Sequence, residues 1–227
     1  GFSELAIPGI AGMNKVGNVG VLSSDEYRNG ASFWHTDCAA ETDPNAATML
    51  YCHQAPSKGG ETVIANMQAA YEGLEASERE KIEPLMAHHC FSGSRQVIGG
   101  VEAWEFPVHK MSEETINNLP PPTVHPLARS HSVTARKGLY SPAGSIIAIE
   151  GMHPAAAHTV LRKLKLHAIR EEFCYFHRYR PGDILMWDNT ATMHFAKPVD
   201  PPTGEADRRL LYRMVLKGLP PALGGEH

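Results

Sequence analysis

In the last third of the chain the strand-like runs stand too close together to be parallel. CYFHRYR (174–180) is followed by the short turn Pro181-Gly182-Asp183, then by ILMWDN (184–189) and later by RRLLYRMVLKG (208–218). A parallel pair needs a crossover of about a dozen residues or more, whereas antiparallel strands close over a few. These runs are therefore expected to pair antiparallel. The first half repeats the pattern: TMLYCH (48–53) and ETVIA (61–65) flank QAPSKGG, whose Pro56 and Gly59-Gly60 are turn formers, and the two runs read as neighbouring strands.

Helical signals are fewer. Asn66 reads as the N-cap of a helix over MQAAYEGLEA (67–76), and Ser77 with Glu80 as a capping box for a second helix over EREKIEPLMA (78–87). A third helix is expected from Pro154 to Arg170, with Ala157, Val160, Leu161, Leu164 and Ala168 at helical spacing. The fold class is mainly β with flanking helices: a double-sheet jelly roll with the helices on one outer face. Pro120, Pro121 and Pro122 mark a stiff break, but no repeat or linker divides the chain. Its 227 residues are read as one domain, 1–227.

Charge and composition restrict the partner. Twenty-one Lys and Arg against 25 Asp and Glu give a net charge of −4 with no long run of either sign, which attracts neither nucleic acid nor an anionic membrane. No apolar run approaches the roughly 20 residues of a membrane span. The partner is expected to be a small molecule. Cys38, Cys52, Cys90 and Cys174 scatter without a C-x-x-C pair, the usage of reduced thiols in a cytoplasmic protein. The chain opens on Gly1, which leaves room for a missing N-terminal segment.

Three clusters carry chemistry. In FWHTDCAAET (33–42), His35 and Asp37 are two apart, so on a strand both project to one side and can reach one ion. In WDNTATMH (187–194), His194 opens the next run. Two neutral imidazoles and one carboxylate, leaving the opposite face open, make a mononuclear iron site. In RRLLYR (208–213), Arg209 and Arg213 share a strand face with Leu211 and Val215, on a strand expected to be buried on both sides. Buried guanidinium groups need anionic partners. With Cα atoms about 13 Å apart, the two can grip opposite ends of a small dicarboxylate.

Each cluster also has a plain structural reading. An isolated H-x-D is usually a turn pair, Trp187 and Asn189 can serve packing, and paired arginines can be structural. Among 13 histidines, His88, His89, His125, His131, His153 and His158 read as surface or satisfied core groups. Arg208 reads as a solvated neighbour of Arg209.

Order and spacing together resemble the taurine dioxygenase and 2,4-dichlorophenoxyacetate dioxygenase family of Fe(II)- and 2-oxoglutarate-dependent oxygenases. The likeness runs through WHTD (34–37), KGGETVIANMQAAYEGL (58–74), HPLARSHSVTARKGLY (125–140), YRPGDILMWDNTATMH (179–194) and RRLLYR (208–213). The resemblance implies iron ligands at His35, Asp37 and His194. It places a 2-oxoglutarate hydroxyl contact at Thr62, Arg209 near the C1 carboxylate, and Arg213 with Thr62 at the C5 carboxylate. It implies a double-stranded β-helix, usually in a homodimer or homotetramer. The implied reaction uses Fe(II), 2-oxoglutarate and O2 to oxidise an unactivated C–H bond, releasing succinate and CO2. Halogenating relatives lack the ligating carboxylate, so Asp37 argues against halogenation.

The substrate is expected to be a small organic acid: an alkyl sulfonate, a phosphonate, a phenoxyalkanoate or an amino-acid-derived carboxylate. Alignment places Ser32, Phe33, Asn66 and Tyr140 near it. A sulfonate-binding asparagine of taurine-oxidising relatives aligns near Ala31, which disfavours taurine. Two other readings stay open. One is a metal-dependent hydrolase or isomerase on the same three ligands, which has no use for the arginine pair. The other is a noncatalytic binding protein on the same scaffold. Desaturation, epoxidation or rearrangement in place of hydroxylation is equally compatible with the sequence.

Overall fold

The structure, a computed structural model, describes residues 10–17 (backbone only), 32–90 and 120–217. Ala31, the position bearing on taurine, lies outside the described residues. In chain order the elements are β1 (Ile10–Gly17), β2 (Ala47–Gln54), β3 (Thr62–Asn66), α1 (Met67–Glu72), α2 (Ala76–Ile82) and β4 (Met86–His89). Then follow β5 (Thr123–Pro126), β6 (Ala128–Ser130), β7 (Lys137–Leu139), β8 (Ile146–Ile149) and α3 (Pro154–Ala168). The chain continues with β9 (Cys174–His177), β10 (Ile184–Asp188), β11 (Thr192–Ala196) and β12 (Leu210–Leu216).

Every pairing is antiparallel, but the runs expected to pair across short turns do not pair with each other: β2 and β3 fall in different sheets, as do β9 and β10, because each short turn carries the chain from one sheet to the facing one. One sheet runs β1-β12-β2-β10 and a second β11-β3-β9. Period-two patterning turns Thr48, Leu50 and Cys52 of β2 inward, where Leu50 and Cys52 meet Leu185 and Trp187 of β10 and Leu211 of β12. Ile64 of β3 packs against that cluster from the second sheet. The opposite face of β11-β3-β9 carries Ala65 and Met193 into a larger core with Met67, Tyr71, Leu161, Leu164 and Ile146. The helices thus cover one outer face of a jelly roll. The sheet β5-β4-β8 and the hairpin β6-β7 complete that side.

Several local expectations are corrected. Asn66 caps α1, its Oδ1 accepting from the N–H groups of Gln68 and Ala69, but the helix stops at Glu72 before Gly73. The capping box at Ser77 does not form: α2 begins at Ala76 with Glu75 at the N-cap and no side-chain cap bond. It ends at Ile82, and Met86–His89 is strand β4, because Pro84 has no N–H to continue the helix. Pairing with β5 and β8 then takes up that backbone.

Helix α3 starts at Pro154 as expected, capped by His153 Nδ1 accepting from Ala155 N–H, and ends at Ala168 rather than Arg170. Strand β12 is buried on one face only. Leu211 and Val215 point inward, while Leu210, Tyr212, Met214 and Leu216 are half-buried, with Tyr212 stacked on Tyr51 outside. All four cysteines are free thiols. No helix among the described residues is long and apolar enough to cross a membrane.

Candidate active site

The two histidines meet through their backbones. His35 N–H donates to His194 C=O at 3.0 Å and His194 N–H to His35 C=O at 2.8 Å, an isolated antiparallel bridge at the edge of β11. The bridge brings the rings to 4.1 Å between centroids. Asp37 follows in a turn rather than on a strand, yet its Oδ1 lies 3.7 Å from Nε2 of both His35 and His194. The three ligand atoms fall within 4.8 Å of one another, the one such group among the described residues.

Each donor is in ligating form. His35 Nδ1–H donates to the Phe33 carbonyl at 2.8 Å, which fixes the tautomer and leaves the Nε2 lone pair toward Asp37. Burial lowers the His35 pKa, and burial, with the repulsion that two protonated rings this close would feel, pushes His194 down to about 3, so both imidazoles are neutral near pH 7. Burial alone would raise Asp37, but His194, His35, Arg213 and the Thr48 hydroxyl outweigh it and hold the carboxyl below its ordinary range. Two neutral imidazoles beside an ionised carboxylate fit a divalent iron.

Asp37 Oδ2 is held from the other side. It accepts from Thr48 Oγ1 at 2.6 Å and pairs with an Arg213 terminal nitrogen at 2.7 Å. Thr48 in turn accepts from Asn189 Nδ2 at 3.0 Å, and Asn189 Oδ1 accepts from Trp187 Nε1 at 3.0 Å. The WDN motif therefore reaches Asp37 through Thr48, a link no sequence spacing announces. Pairing of Trp187 with Thr48 in the β2–β10 ladder is what creates it. Asp188 serves the turn instead, accepting from Thr190 and contacting His131 at 2.8 Å.

The second arginine stands apart from the first. Arg209 is buried, its Nε donates to the Gly60 carbonyl at 3.0 Å, and its guanidinium lies 5.6 Å from the Tyr179 ring centroid. Thr62 Oγ1 is 2.8 Å from Tyr179 Oη. Thr62 and Arg209 thus gather around one tyrosine, while Arg213 sits at the metal ligand. This reverses the expected grouping of Thr62 with Arg213, because the inward face of β12 runs past Asp37 at Arg213, whereas Arg209 precedes the strand beside the Gly59-Gly60 turn.

A cavity of about 260 Å³ joins both ends, lined by His35, Asp37, Leu50, Thr62, Trp187, His194, Ala196, Arg209 and Arg213. None of the four expected substrate contacts lines it. Asn66 is exposed and occupied as a cap. Tyr140 is fully buried among His89, His125 and Arg129. The Phe33 ring lies tilted against His35, centroids 4.6 Å apart, and Ser32 precedes it in the chain. Among the other described histidines, His88 pairs with Glu150 and His89 contacts Ser145. Arg208 forms a surface pair with Glu205.

The family described as taurine catabolism dioxygenase TauD, TfdA family matches residues 8–215. An alpha-ketoglutarate-dependent 2,4-dichlorophenoxyacetate dioxygenase from Cupriavidus pinatubonensis is 32% identical over 167 residues, covering 74% of this chain and 55% of that protein. A pentalenolactone F synthase from Streptomyces arenae is 28% identical over 184 residues, covering 80% of this chain and 60% of that protein. The chain therefore spans little more than half the length of these relatives. The crystal structure of AAD-2 in complex with Mn(II) and N-oxalylglycine superposes with a TM-score of 0.74 at 29% identity, over 92% of this chain and 72% of that one. With matched residues running from the first strand into the last, the chain belongs to the taurine catabolism dioxygenase TauD, TfdA family.

Proposed function

We propose that this chain carries the catalytic site of an Fe(II)- and 2-oxoglutarate-dependent dioxygenase that oxidises, by hydroxylation, an unactivated C–H bond of a small organic acid, releasing succinate and CO2. The observation that carries the reading is one cavity holding a two-histidine, one-carboxylate donor set together with two arginines and a threonine hydroxyl. A hydrolase would need the donor set but not the arginines.

His35, Asp37 and His194 would hold the iron, which when bound supplies activation of dioxygen. Arg209 and Thr62 would take the distal carboxylate of 2-oxoglutarate. A buried guanidinium and a hydroxyl together give charge-assisted, directional recognition. Arg213, already 2.7 Å from Asp37, would neutralise negative charge gathered at the metal end. Leu50, Trp187 and Ala196 give the cavity apolar walls that limit water. The relatives' names span a phenoxyacetate and a lactone, so the substrate class is proposed no more finely than a small organic acid.

The test is an anaerobic titration of the metal-free protein with Fe(II) and then 2-oxoglutarate, following the weak visible charge-transfer absorption of the chelate. The absorption is expected in the wild type and absent in Asp37→Ala. Iron binding without that absorption would favour the hydrolase reading, and a folded protein that takes up no iron would return the scaffold to a binding role.

A further inference from the structure

Tyr179 opens the stretch YRPGDILMWDNTATMH, where the sequence assigns it no role, yet it touches both residues at the distal end of the cavity. It lies between β9 and β10 and is buried against Cys52, Leu185 and Leu211. Its hydroxyl meets Thr62, and its ring underlies the Arg209 guanidinium. The ring is fixed on a further side by His177, edge-on at 4.7 Å, and His177 Nε2 stands 3.2 Å from Asp183. Thr62 and Arg209 line the catalytic cavity and Tyr179 does not. Tyr179 instead faces an outer cleft with Ala55, Pro56, Ser57, Arg178, Arg180 and Pro181. It is the partition between the two.

We propose that Tyr179 is a positioning residue for the 2-oxo acid: its phenol aims the Thr62 hydroxyl at the distal carboxylate, and its ring seats Arg209 beside that hydroxyl. The inference rests on the 2-oxoglutarate reading above. Proton counting supports it. A threonine hydroxyl has one proton and a carboxylate can only accept, so Thr62 must donate into the cavity when the carboxylate is present. The Tyr179–Thr62 bond must then run from the phenol to Thr62 Oγ1. Burial pushes the phenol up to about 12, so it keeps its proton for that purpose. Donation from Tyr179 polarises the Thr62 hydroxyl and strengthens its bond to the anion. It also removes the alternative rotor in which Thr62 spends its proton on Tyr179.

The experiment compares anaerobic binding of 2-oxoglutarate and 2-oxopentanoate to Fe(II)-loaded protein. The second acid keeps the chelating end and replaces the distal carboxylate with a methyl group. Tyr179→Phe should weaken 2-oxoglutarate about five- to tenfold, the range of one hydrogen bond in such a network, and leave 2-oxopentanoate unchanged. In a Thr62→Val background the same substitution should have no further effect on 2-oxoglutarate, because Tyr179 acts through Thr62. Equal weakening of both acids would make Tyr179 a packing residue and overturn the proposal, as would unaltered binding of 2-oxoglutarate by Tyr179→Phe. A wild type that binds both acids alike would overturn the 2-oxoglutarate reading itself, and the proposal with it.

Discussion

Arg213 pairs with Asp37 at 2.7 Å on the carboxylate oxygen that faces away from the two imidazoles. The same oxygen accepts the Thr48 hydroxyl, so the orientation of the ligating carboxylate is set by two donors on neighbouring strands of one sheet. Such partners typically change metal affinity by about 10- to 100-fold when removed. Thr48→Val should therefore weaken binding of Mn(II), titrated as a spin-active substitute for iron, by about tenfold or more. It should leave the preference for 2-oxoglutarate over 2-oxopentanoate intact. Unchanged Mn(II) affinity would show that Arg213 alone orients Asp37.

Two glycines guard the two ends of the cavity. A Cβ on Gly60, whose φ is +71°, would lie 2.7 Å from Arg209 Cδ, and the Gly60 carbonyl is the acceptor for Arg209 Nε. A Cβ on Gly144, at φ +80°, would meet His35 Cβ at 3.0 Å. Both positions favour glycine for backbone reasons as well. Gly60→Ala should chiefly impair 2-oxoglutarate binding, and Gly144→Ala chiefly metal binding. Measuring both affinities in both variants checks the assignment; identical losses in each would mean only general destabilisation.

The donor set was legible because its signal is local or categorical: a two-residue spacing, a distant histidine beside a strand, and a pair of arginines four apart. The supporting residues were not, because they depend on register. Thr48 matters only because it lies opposite Trp187. Tyr179 matters only because the chain after β9 returns its hydroxyl to Thr62. The grouping of Thr62 with Arg209 likewise follows from where the Gly59-Gly60 turn falls, which periodicity does not encode. The antiparallel sense of the strands was readable, but which strands pair was not, since the short turns after β2 and β9 cross between sheets; the end of α2 turned on a competition between helix and sheet that Pro84 and the neighbouring strands decide together.

Asn66 offers a direct check on the difference between aligned position and structural role. Its side chain accepts from two N–H groups at the start of α1 and is exposed. Asn66→Ala should cost about 1 kcal/mol of stability, the usual loss of an N-cap, and leave 2-oxoglutarate binding unaltered. Denaturant unfolding beside a binding titration distinguishes this from a substrate role, which would show wild-type stability and altered turnover.

His89 supplies a pH dependence that is separate from the metal ligands. It is fully buried, with Nδ1 2.9 Å from Ser145 Oγ, His125 at 5.7 Å and Tyr140 at 5.5 Å between ring centroids. Burial, then the charges of His125, His88 and Arg129, push its pKa down from 6.5 to about 3. Above pH 6.5 the group is neutral in folded and unfolded chains alike and contributes no slope. Below pH 6.5 the unfolded chain binds a proton that the folded protein refuses, so stability falls as pH falls until about pH 3, where the folded form also protonates. Within that window this one group contributes about 1.4 kcal/mol per pH unit. His89→Asn keeps a polar atom near Ser145 and removes the titration. Urea unfolding between about pH 4 and about pH 6, inside that window, should show a slope shallower by close to one proton in the variant. Parallel slopes would place the proton uptake on other groups.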